Sequence, residues 1–556
     1  MLEKYLKDPK RFNIAILVIL SILMLVTRLP FTSKYLFEWD SVDFALGFEN
    51  YDIIHHQPQP PGYILYVGLG KIVNWIFHDA NTTMVFLSIV FSIFTVVLVY
   101  FLAKQMFSEK IALVASLLLV FNPIFWFYGE VATIYPCEAF LATLIAYLSY
   151  NMLKGNDKYL YPAVIALGLA GGFREDLIIF MFPLWLFCLV YPDRSPKRII
   201  KAFLVLIIST LIWFIPTILL AGGLDSFILA NGHFGSSFAT TSALFGASMT
   251  MQLLMDLSLF AWLILAFGII GGLFVIIFAL KDRKVILNNI KTPKLILLAL
   301  WIFPLLIFQI LIPLSKPGYI LTYISAIALI LAFIFNFFSI SLAKKIKLSA
   351  KSILIILIAV YMVINSVYFI YPYNLHSEIT WETSMNDMNQ TQKITLGLDM
   401  LFMYNYEKIH VNDESMEQHL DMIKEISNSN NSIIVIRDIL REDEGFSWRK
   451  AMYYLPDYSI YYLLDSENSE FKTSKETGNN IELLYGKNHS SNETSDNTIK
   501  TPVTNTVSIP TNSHTEQIIW IMSNQTEFFK EVESKNKLYT INLPDGLKIY
   551  YFDVQN

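Results

Sequence analysis

Charged residues are scarce in this sequence of 556 residues. Asp, Glu, Lys and Arg together make up 16% of it, whereas hydrophobic residues make up 54%. An ordinary soluble domain has about 25% charged residues. The deficit is local, because stretches such as 12–27 and 84–103 contain no charged residue. The composition therefore predicts a polytopic α-helical membrane protein.

Other features are also missing. The two cysteines, Cys137 and Cys188, both lie in apolar runs, which argues against a disulfide framework or a cysteine metal site. There is no basic domain and no zinc-finger spacing, so a nucleic-acid partner is not expected. The first thirty or so residues lack a small-residue cleavage site, which predicts a retained first helix and not a removed signal peptide.

About eleven apolar segments are interpreted as membrane spans, the fifth being short and rich in glycine. They cover 12–27, 84–103, 111–128, 136–153, 159–173, 177–191, 202–221, 256–280, 295–313, 319–341 and 352–371. Alternate loops between these segments are rich in Lys and Arg, whereas the other loops contain few cations, among them Lys34, Lys71, Arg174 and Lys316. By the positive-inside rule the N-terminus is cytoplasmic and the remaining loops lie outside.

The composition changes near residue 371, which predicts two domains. Residues 1–371 form the transmembrane domain, with a first outer loop over 28–83. Residues 372–556 form an extracytoplasmic α/β domain, since 432–438, 458–464, 517–522, 538–543 and 547–554 have strand pattern and 415–427 has helical pattern. Within it, the Ser-, Thr-, Asn- and Glu-rich segment 466–515 is predicted to be a flexible insertion.

Ionisable residues collect on the predicted outer face. The first outer loop contains "FEWDSVDFALG" followed by "HHQPQPPGYILY", and later outer segments contain Glu and Arg in "YGEVATIYPCEAF" and "GGFREDLIIF". A charge at membrane depth costs about 2.5 to 3.5 kcal/mol on insertion scales, so such residues usually line a cavity. The candidate site residues from this pattern are Glu38, Asp40, Asp43, His55, His56, Tyr63, Glu130, Arg174, Lys316 and Tyr319.

Each residue type suggests a role. The carboxylates of Asp40 and Asp43 suit general-base catalysis. Arg174 and Lys316 offer the forked donors and the point charge that a phosphate requires. The three prolines after the histidine pair fix the backbone near it. These features lead to the hypothesis of a lipid-phosphate substrate, with the amphipathic segment 63–77 lying at the bilayer surface.

These motifs resemble the GT-C glycosyltransferases, and in particular the protein O-mannosyltransferase-like branch. The order Trp-Asp-Ser, a second acidic residue, then a His- and Pro-rich string ending in Pro-Gly-Tyr is similar to the pattern of that branch. The resemblance covers roughly 28–340. It implies an integral membrane hexosyltransferase that uses a polyprenyl-phosphate sugar, such as a mannose donor, and inverts the anomeric carbon.

The resemblance also implies residue roles. A first-loop Asp takes the proton from the acceptor hydroxyl, which by motif position is Asp40, with Asp43 at the second acidic position. Relatives often have Glu at that second position, so which of the two is the base stays open. Arg174 and Lys316 would hold the leaving phosphate. The acceptor is a protein or a glycan. GT-C enzymes differ in whether they need a divalent metal, so a divalent cation stays open as a cofactor, and no decisive ligand set for one is evident.

Simpler interpretations stand beside these roles. Glu130 follows an aromatic run that is typical of an interfacial belt. Arg174 has Glu175 and Asp176 beside it, which favours an internal clamp equally well, and Lys316 fits a snorkelling lysine at a helix end. Tyr63 and Tyr319 share the string Pro-Gly-Tyr-Ile-Leu, a common way to enter a membrane helix.

Two other functions remain open. A transporter or lipid flippase would place ionisable groups near the bilayer midplane on broken helices and would show internal repeats. Here the ionisable groups lie at helix ends on one face, and no repeat of halves is evident. An outer-surface receptor or scaffold, with the tail as its active part, leaves the acidic first loop unexplained.

Overall fold

The computed structural model divides the chain into two compact units. The helical unit contains Met1–Ser33, Pro60–Ser377 and Thr395–Ile409, and the sheet unit contains Lys34–Gln59, Glu378–Ile394 and His410–Asn556. The residues that the structure describes are 9–236, 242–282, 284–285, 288, 292–313, 316–371, 380–382, 391–393, 397–436, 446–464, 481–485, 515–521, 533–534, 536–543 and 548–554. Residues 34–59 of the first outer loop thus belong with the C-terminal sheet.

The described part of the helical unit consists of long apolar helices. Numbered in chain order with the one helix of the first loop included, they are α1 Pro9–Arg28, α2 Trp39–Glu49, α3 Ile64–Phe77, α4 Ala80–Met106, α5 Glu109–Val120, α6 Pro123–Tyr128, α7 Tyr135–Leu153, α8 Leu160–Phe173, α9 Asp176–Val190, α10 Pro196–Leu220, α11 Leu224–Ser236, α12 Met249–Phe267, α13 Gly271–Lys281, α14 Pro293–Leu311, α15 Leu321–Ala343 and α16 Ala350–Ile370.

Each of the eleven predicted spans coincides with one helix or with two consecutive helices. Within the described residues, 7 helices are long and apolar enough to cross a membrane by themselves. The other predicted spans correspond to helices that are shorter, broken or less apolar. The sequence therefore predicts more spans than the 7 helices that are individually long and apolar enough. The predicted class, a polytopic helical membrane protein, is confirmed.

The predicted spans 111–128 and 256–280 are each divided into two helices, and the two points of division are in contact. The span 111–128 divides at Asn122, whose side chain accepts a hydrogen bond from the amide of Phe125 at 3.1 Å and so begins α6. Asn122 also donates to the carbonyl of Ala266, near the end of α12, at 2.5 Å. The chain turns there at Gly268, which has a φ of 70°. A polar side chain thus satisfies a carbonyl group that the helix end leaves unpaired.

The amphipathic segment 63–77 forms α3. Ile72, Trp75 and Ile76 are 68%, 84% and 73% exposed, so one face of this helix is apolar and uncovered by protein. Such a face is typical of a helix in contact with lipid.

The sheet unit contains a six-stranded mixed sheet. The described secondary structure of the tail is β1 Thr380–Glu382, β2 Thr391–Lys393, α17 Tyr406–Ile426, β3 Ser432–Ile436, α18 Trp448–Tyr454, β4 Ser459–Leu464, β5 Ile481–Tyr485, β6 Gln517–Ile521, β7 Tyr539–Asn542 and β8 Lys548–Asp553. The strand order is β5-β4-β3-β6-β8-β7; the first four are parallel, and β8 and β7 are antiparallel to their neighbours.

The predicted α/β character of the tail is confirmed, and five of the six sheet strands lie where the apolar pattern indicates. The sixth, β5, lies inside 466–515, the segment predicted to be a flexible insertion. Ile481 pairs with Ile460 of β4 there. Apart from β5 and Thr515, that segment lies outside the described residues, so the rest of this prediction stays a prediction.

Candidate functional site

The first outer loop forms a short helix that carries both acidic candidates. Asp40 lies in the first turn of α2 and is half-buried. Asp43 lies one turn further on and is fully buried, and Glu38 precedes the helix and is 6% exposed. The partial positive charge at a helix N-terminus favours an anion in the first turn. The two aspartates therefore share one side of α2 but have different surroundings.

Asp43 forms a buried ion pair with a residue of the tail. Its Oδ1 lies 3.3 Å from Nε of Arg449, and the side chains are 0% and 2% exposed. The Arg449 guanidinium lies 4.5 Å from the centroid of the Trp448 ring and 5.9 Å from that of Trp39. Removing one partner of a buried ion pair costs about 3 to 5 kcal/mol. Asp43 is thus a charge that the fold neutralises.

The two histidines lie in a tight turn that Asp52 closes. The backbones of Asp52 and Gln57 are hydrogen bonded in both directions, at 2.6 and 2.8 Å. The Asp52 carboxylate accepts the amide of Ile54 at 3.1 Å and contacts Nδ1 of His55. His56 follows with a φ of 56°. The carboxylate of Asp52, as well as the prolines, therefore fixes the histidine pair.

The beginning of the loop is held by two side chains of the tail. Asp413 accepts the amides of Lys34 at 2.8 Å and Tyr35 at 3.2 Å, and the Tyr454 hydroxyl accepts the amide of Leu36 at 2.8 Å. Burial raises the pKa of Asp413, and the two backbone hydrogen bonds act against that rise. Backbone amides that lack a strand or helix partner are thus satisfied by the tail.

A second cluster of charged groups lies in the helical unit around Arg174, between α8 and α9. Its Nε lies 3.1 Å from both carboxylate oxygens of Asp176, and its Nη1 donates to Oε1 of Glu138 on α7. The Thr322 hydroxyl donates to the other oxygen of Glu138 at 3.4 Å. Burial lowers the pKa of Arg174, but Asp176 and Glu138 together raise it well above its ordinary value, so this arginine stays charged.

Tyrosine rings surround this arginine. The guanidinium carbon lies 4.1 Å from the centroid of the Tyr319 ring and 5.4 Å from that of Tyr135. The turn that carries Tyr319 approaches Tyr135 closely at Gly318, where an added Cβ would lie 2.3 Å from the ring. The string Pro-Gly-Tyr at this position therefore requires glycine for packing. The result is an aromatic box with a cation at its edge.

Of the remaining candidates in the helical unit, some lie near Arg174 and one lies away from it. Lys316 is half-buried and begins the turn that leads to Tyr319. Tyr63 is near enough to influence Arg174 electrostatically. Glu130 is buried elsewhere, where it accepts a hydrogen bond from the Trp126 indole at 2.5 Å. The structure thus brings Tyr63 and Tyr319 near Arg174 and places the Glu130 side chain in a separate aromatic contact.

One carboxyl beside Arg174 titrates near neutral pH. Burial, with a further contribution from Asp176, raises the pKa of Glu175 to about 7. Oε1 of Glu175 is buried and has no hydrogen-bond partner among the described residues. Glu138, Glu175 and Asp176 together outnumber the single cation Arg174. The net charge of the cluster therefore depends on the protonation of Glu175.

The functional geometry includes residues that sequence reasoning did not select. Glu138 and Asp176 orient Arg174, Asp52 orients His55, and Arg449 pairs with Asp43. Asp176 and Asp52 are sequence neighbours of their partners and carried a signal. Arg449 carried none, because a cation in a polar tail looks like a solvated surface residue until the fold buries it.

Comparison with known proteins gives the class. Residues 60–220 match the family described as dolichyl-phosphate-mannose-protein mannosyltransferase. The fold is similar to that of ArnT from Cupriavidus metallidurans bound to undecaprenyl phosphate, with a TM-score of 0.57, 10% identity and 97% of each chain covered. The apo state of that ArnT gives a TM-score of 0.55, with the same identity and coverage.

A third similar structure is the apo oligosaccharyltransferase of Archaeoglobus fulgidus. The match covers 98% of this chain and 74% of the oligosaccharyltransferase chain, with 13% identity and a TM-score of 0.48. No curated protein sequence matches the chain.

The resemblance inferred from the sequence, to the GT-C superfamily and its protein O-mannosyltransferase-like branch, is confirmed. The chain is an integral membrane protein with a GT-C fold, and this likeness supports a membrane glycosyltransferase. The family match begins at residue 60, after the acidic motif, so it is narrower than the range 28–340 expected from the motifs.

Proposed function

We propose that the protein transfers a hexose from a polyprenyl-phosphate sugar to an acceptor hydroxyl of a protein or glycan at the outer face of the membrane. The base removes the proton from the acceptor hydroxyl, and the acceptor oxygen attacks the anomeric carbon. The bond from that carbon to the phosphate oxygen breaks, and the polyprenyl phosphate leaves. A single displacement of this kind inverts the anomeric configuration.

The observation that carries this proposal is the match of 60–220 to a family named for transfer from dolichyl-phosphate-mannose. The whole-length likeness to ArnT, whose crystal structure contains undecaprenyl phosphate, adds support for a polyprenyl-phosphate carrier. The basic alternate loops of the sequence support a cytoplasmic N-terminus and an extracytoplasmic C-terminal domain.

Asp40 is the proposed base. A general base must be ionised and must reach the proton that it removes. Asp40 is half-buried in the first turn of α2. Asp43 is fully buried, and Arg449 holds its carboxylate in an ion pair. A fully buried carboxylate in an ion pair is harder for an acceptor to reach than a half-buried one, which favours Asp40 over Asp43.

Arg174 is the proposed ligand of the lipid phosphate, with Lys316 as a second cation. Glu138 and Asp176 use Nη1 and Nε of Arg174, and among the described residues none accepts a hydrogen bond from Nη2. An arginine fixed by two carboxylates presents its remaining donor in one orientation. Tyr319 lies beside it, with its ring centroid 4.1 Å from the guanidinium carbon.

The proposed reaction assigns no step to a metal ion. Over the described ranges, no group of three or more His, Cys, Asp or Glu side chains is arranged to hold a metal. The proton and charge transfers are assigned to side chains that are present.

The test is transfer or release of radiolabelled hexose from a panel of polyprenyl-phosphate hexoses by the purified protein in detergent. We expect turnover by the wild type and a loss of about 10²- to 10⁴-fold in Asp40→Asn, the range attributed to a positioned general base. Glu49→Gln is the matched control, since Glu49 is exposed on the same helix, and its rate should stay within about twofold of wild type.

Two results would contradict the proposal. One is a wild type that leaves every donor of the panel intact, and the other is an Asp40→Asn variant with the wild-type rate. If the wild type moves intact lipid-linked sugar between leaflets of a vesicle without cleaving it, the flippase interpretation replaces the transferase.

A further inference from the structure

We propose that Asp413, on α17 of the tail, is a positioning residue of the transfer reaction. Its carboxylate holds two backbone amides at the start of the loop segment 34–59, and so fixes where α2 begins and where that helix carries Asp40. This inference rests on the function proposed above and extends it to the tail, which then supports the acidic motif.

One carboxylate binds two consecutive amides of the loop. Oδ2 of Asp413 accepts the amide of Lys34 at 2.8 Å, and Oδ1 accepts the amide of Tyr35 at 3.2 Å. Both amides precede α2 and belong to no helix or strand, so a side chain has to satisfy them. Because each oxygen binds one amide, the orientation of both peptide units relative to α17 is fixed.

Two contacts with α18 continue this attachment as far as α2. The Tyr454 hydroxyl accepts the amide of Leu36 at 2.8 Å, and the Leu36 side chain is fully buried. The ring of Trp39, the first residue of α2, lies 5.3 Å from the Trp448 ring in an edge contact. The loop is therefore bound to the tail along the whole approach to α2.

The place of Asp413 on its helix indicates that the carboxylate serves the loop. Met416, Leu420 and Ile423 follow it at helical spacing along the buried side of α17 and are at most 4% exposed. Asp413 continues this apolar row and is 6% exposed. A carboxylate is unfavourable at such a position unless it is hydrogen bonded. The two amides that it binds compensate the carboxylate there.

The position of α2 matters because a base acts at short range. A general base has to come within hydrogen-bond distance of the proton that it removes, and a misplacement of about 1 Å can cost about 10²-fold in rate. Asp40 lies in the first turn of α2, so a change at the beginning of this helix moves it directly. Arg174, the proposed phosphate ligand, lies in the helical unit, so binding of the lipid phosphate should not depend on Asp413.

The experiment compares variants of the full-length protein in detergent by amide hydrogen exchange and by the rate of hexose release or transfer. Asp413→Leu removes both acceptor oxygens. We expect exchange about tenfold or more faster at residues 34 and 35 and through α2, and a rate about 10- to 100-fold lower. Asp413→Asn keeps one acceptor oxygen, and its amide nitrogen cannot accept, so both values should fall between those of Asp413→Leu and the wild type.

The control and a count of functional sites separate positioning from a merely structural role. Glu414→Gln changes the next residue of α17, an exposed carboxylate that contacts His410 at 3.1 Å, and should behave as the wild type within about twofold. Bound radiolabelled undecaprenyl phosphate counts the functional sites, and each rate is divided by this number. A merely structural role would lower the number of sites and leave the rate per site unchanged.

Each outcome decides the proposal. Faster exchange through α2 together with a lower rate per site in Asp413→Leu supports it. An active wild type with an unchanged rate per site in that variant, or with exchange changed at 34 and 35 but not in α2, overturns the role of Asp413 and leaves the transferase intact. If Asp413→Leu does not fold, a wild-type rate per site in Asp413→Asn overturns the role equally. A wild type that cleaves no donor overturns the transferase and this role together.

Discussion

Two of the buried arginines, Arg174 and Arg449, have different charged and aromatic neighbours. Arg174, in the helical unit, contacts the carboxylates of Glu138 and Asp176 and lies against tyrosine rings. Arg449, in the sheet unit, contacts one carboxylate, that of Asp43, and lies against tryptophan rings. The first cluster brings two carboxylates to one guanidinium, and the second contains the buried pair of Asp43 and Arg449.

This difference shows how each unit compensates a buried charge. A buried ion needs a partner and further hydrogen bonds to offset its lost hydration. Arg174 has two carboxylate partners, Glu138 and Asp176. Arg449 contacts the Asp43 carboxylate and donates to the His55 carbonyl.

The largest effect is expected on breaking the Arg174 cluster. Arg174→Gln leaves Glu138 buried beside Asp176 without a cation, and we expect a loss of about 3 to 5 kcal/mol in the free energy of unfolding. Thermal unfolding of the purified protein measures it. Arg198→Gln is the control, because its partner Asp157 is 77% exposed and returns to water. Equal losses in the two variants would show that burial of the partner does not matter.

The Asp43–Arg449 pair provides the matched second case. Asp43→Asn and Arg449→Gln should each lose about 3 kcal/mol of unfolding free energy, since each removes one partner of a buried ion pair. The double variant should lose about 1 to 3 kcal/mol less than the sum of the single losses. Unfolding midpoints for the four proteins give this coupling free energy. Strict additivity would contradict the ion pair.

The pH dependence of stability distinguishes the clusters further. The pKa of Glu175 is raised to about 7 by burial and by Asp176. A carboxyl with a raised pKa favours the folded state fully below its ordinary value of 4.5, and this contribution is lost as the pH rises through about 7. Between pH 5 and pH 8 the wild type should therefore lose about 2 kcal/mol that Glu175→Gln retains. Parallel pH profiles of the melting temperature would contradict this.

The smallest effect concerns the aromatic partner of Arg174. Tyr319→Leu removes the ring that lies 4.1 Å from the guanidinium carbon, and should cost about 1 kcal/mol. Tyr319→Phe keeps the ring and should cost less than half of that. The same thermal assay measures both. Identical losses would assign the effect to the hydroxyl and not to the ring face.

The partner of Arg174 that lies nearby in sequence could be predicted, and the distant one could not. The clamp with Asp176 was an open alternative because the two residues are two positions apart. Glu138 is 36 positions away, on another helix. Only the packing of α7 beside α9 brings it to Arg174, and no periodicity in one sequence encodes that pairing.

The first outer loop shows the same limit. The acidic motif and the histidine pair could be recognised from composition. The helical conformation of 39–49 and the burial of Asp43 could not. The partner Arg449 is separated from His55 by 394 positions. Strand β5 was missed for a related reason, since a short strand in a polar segment is stabilised by the neighbouring β4 and not by its own pattern.

The sequence by itself determined the membrane class, the helical segments, five of the six strands of the tail sheet and the residues of the acidic motif. These follow from hydropathy, charge asymmetry and local periodicity, which need no knowledge of neighbours in space. The tertiary structure decided that Asp43 pairs with Arg449, which carboxylates surround Arg174, and that residues 34–59 of the first loop belong with the tail. Burial and ion pairing depend on residues far apart in the chain, and only the fold brings them within contact distance.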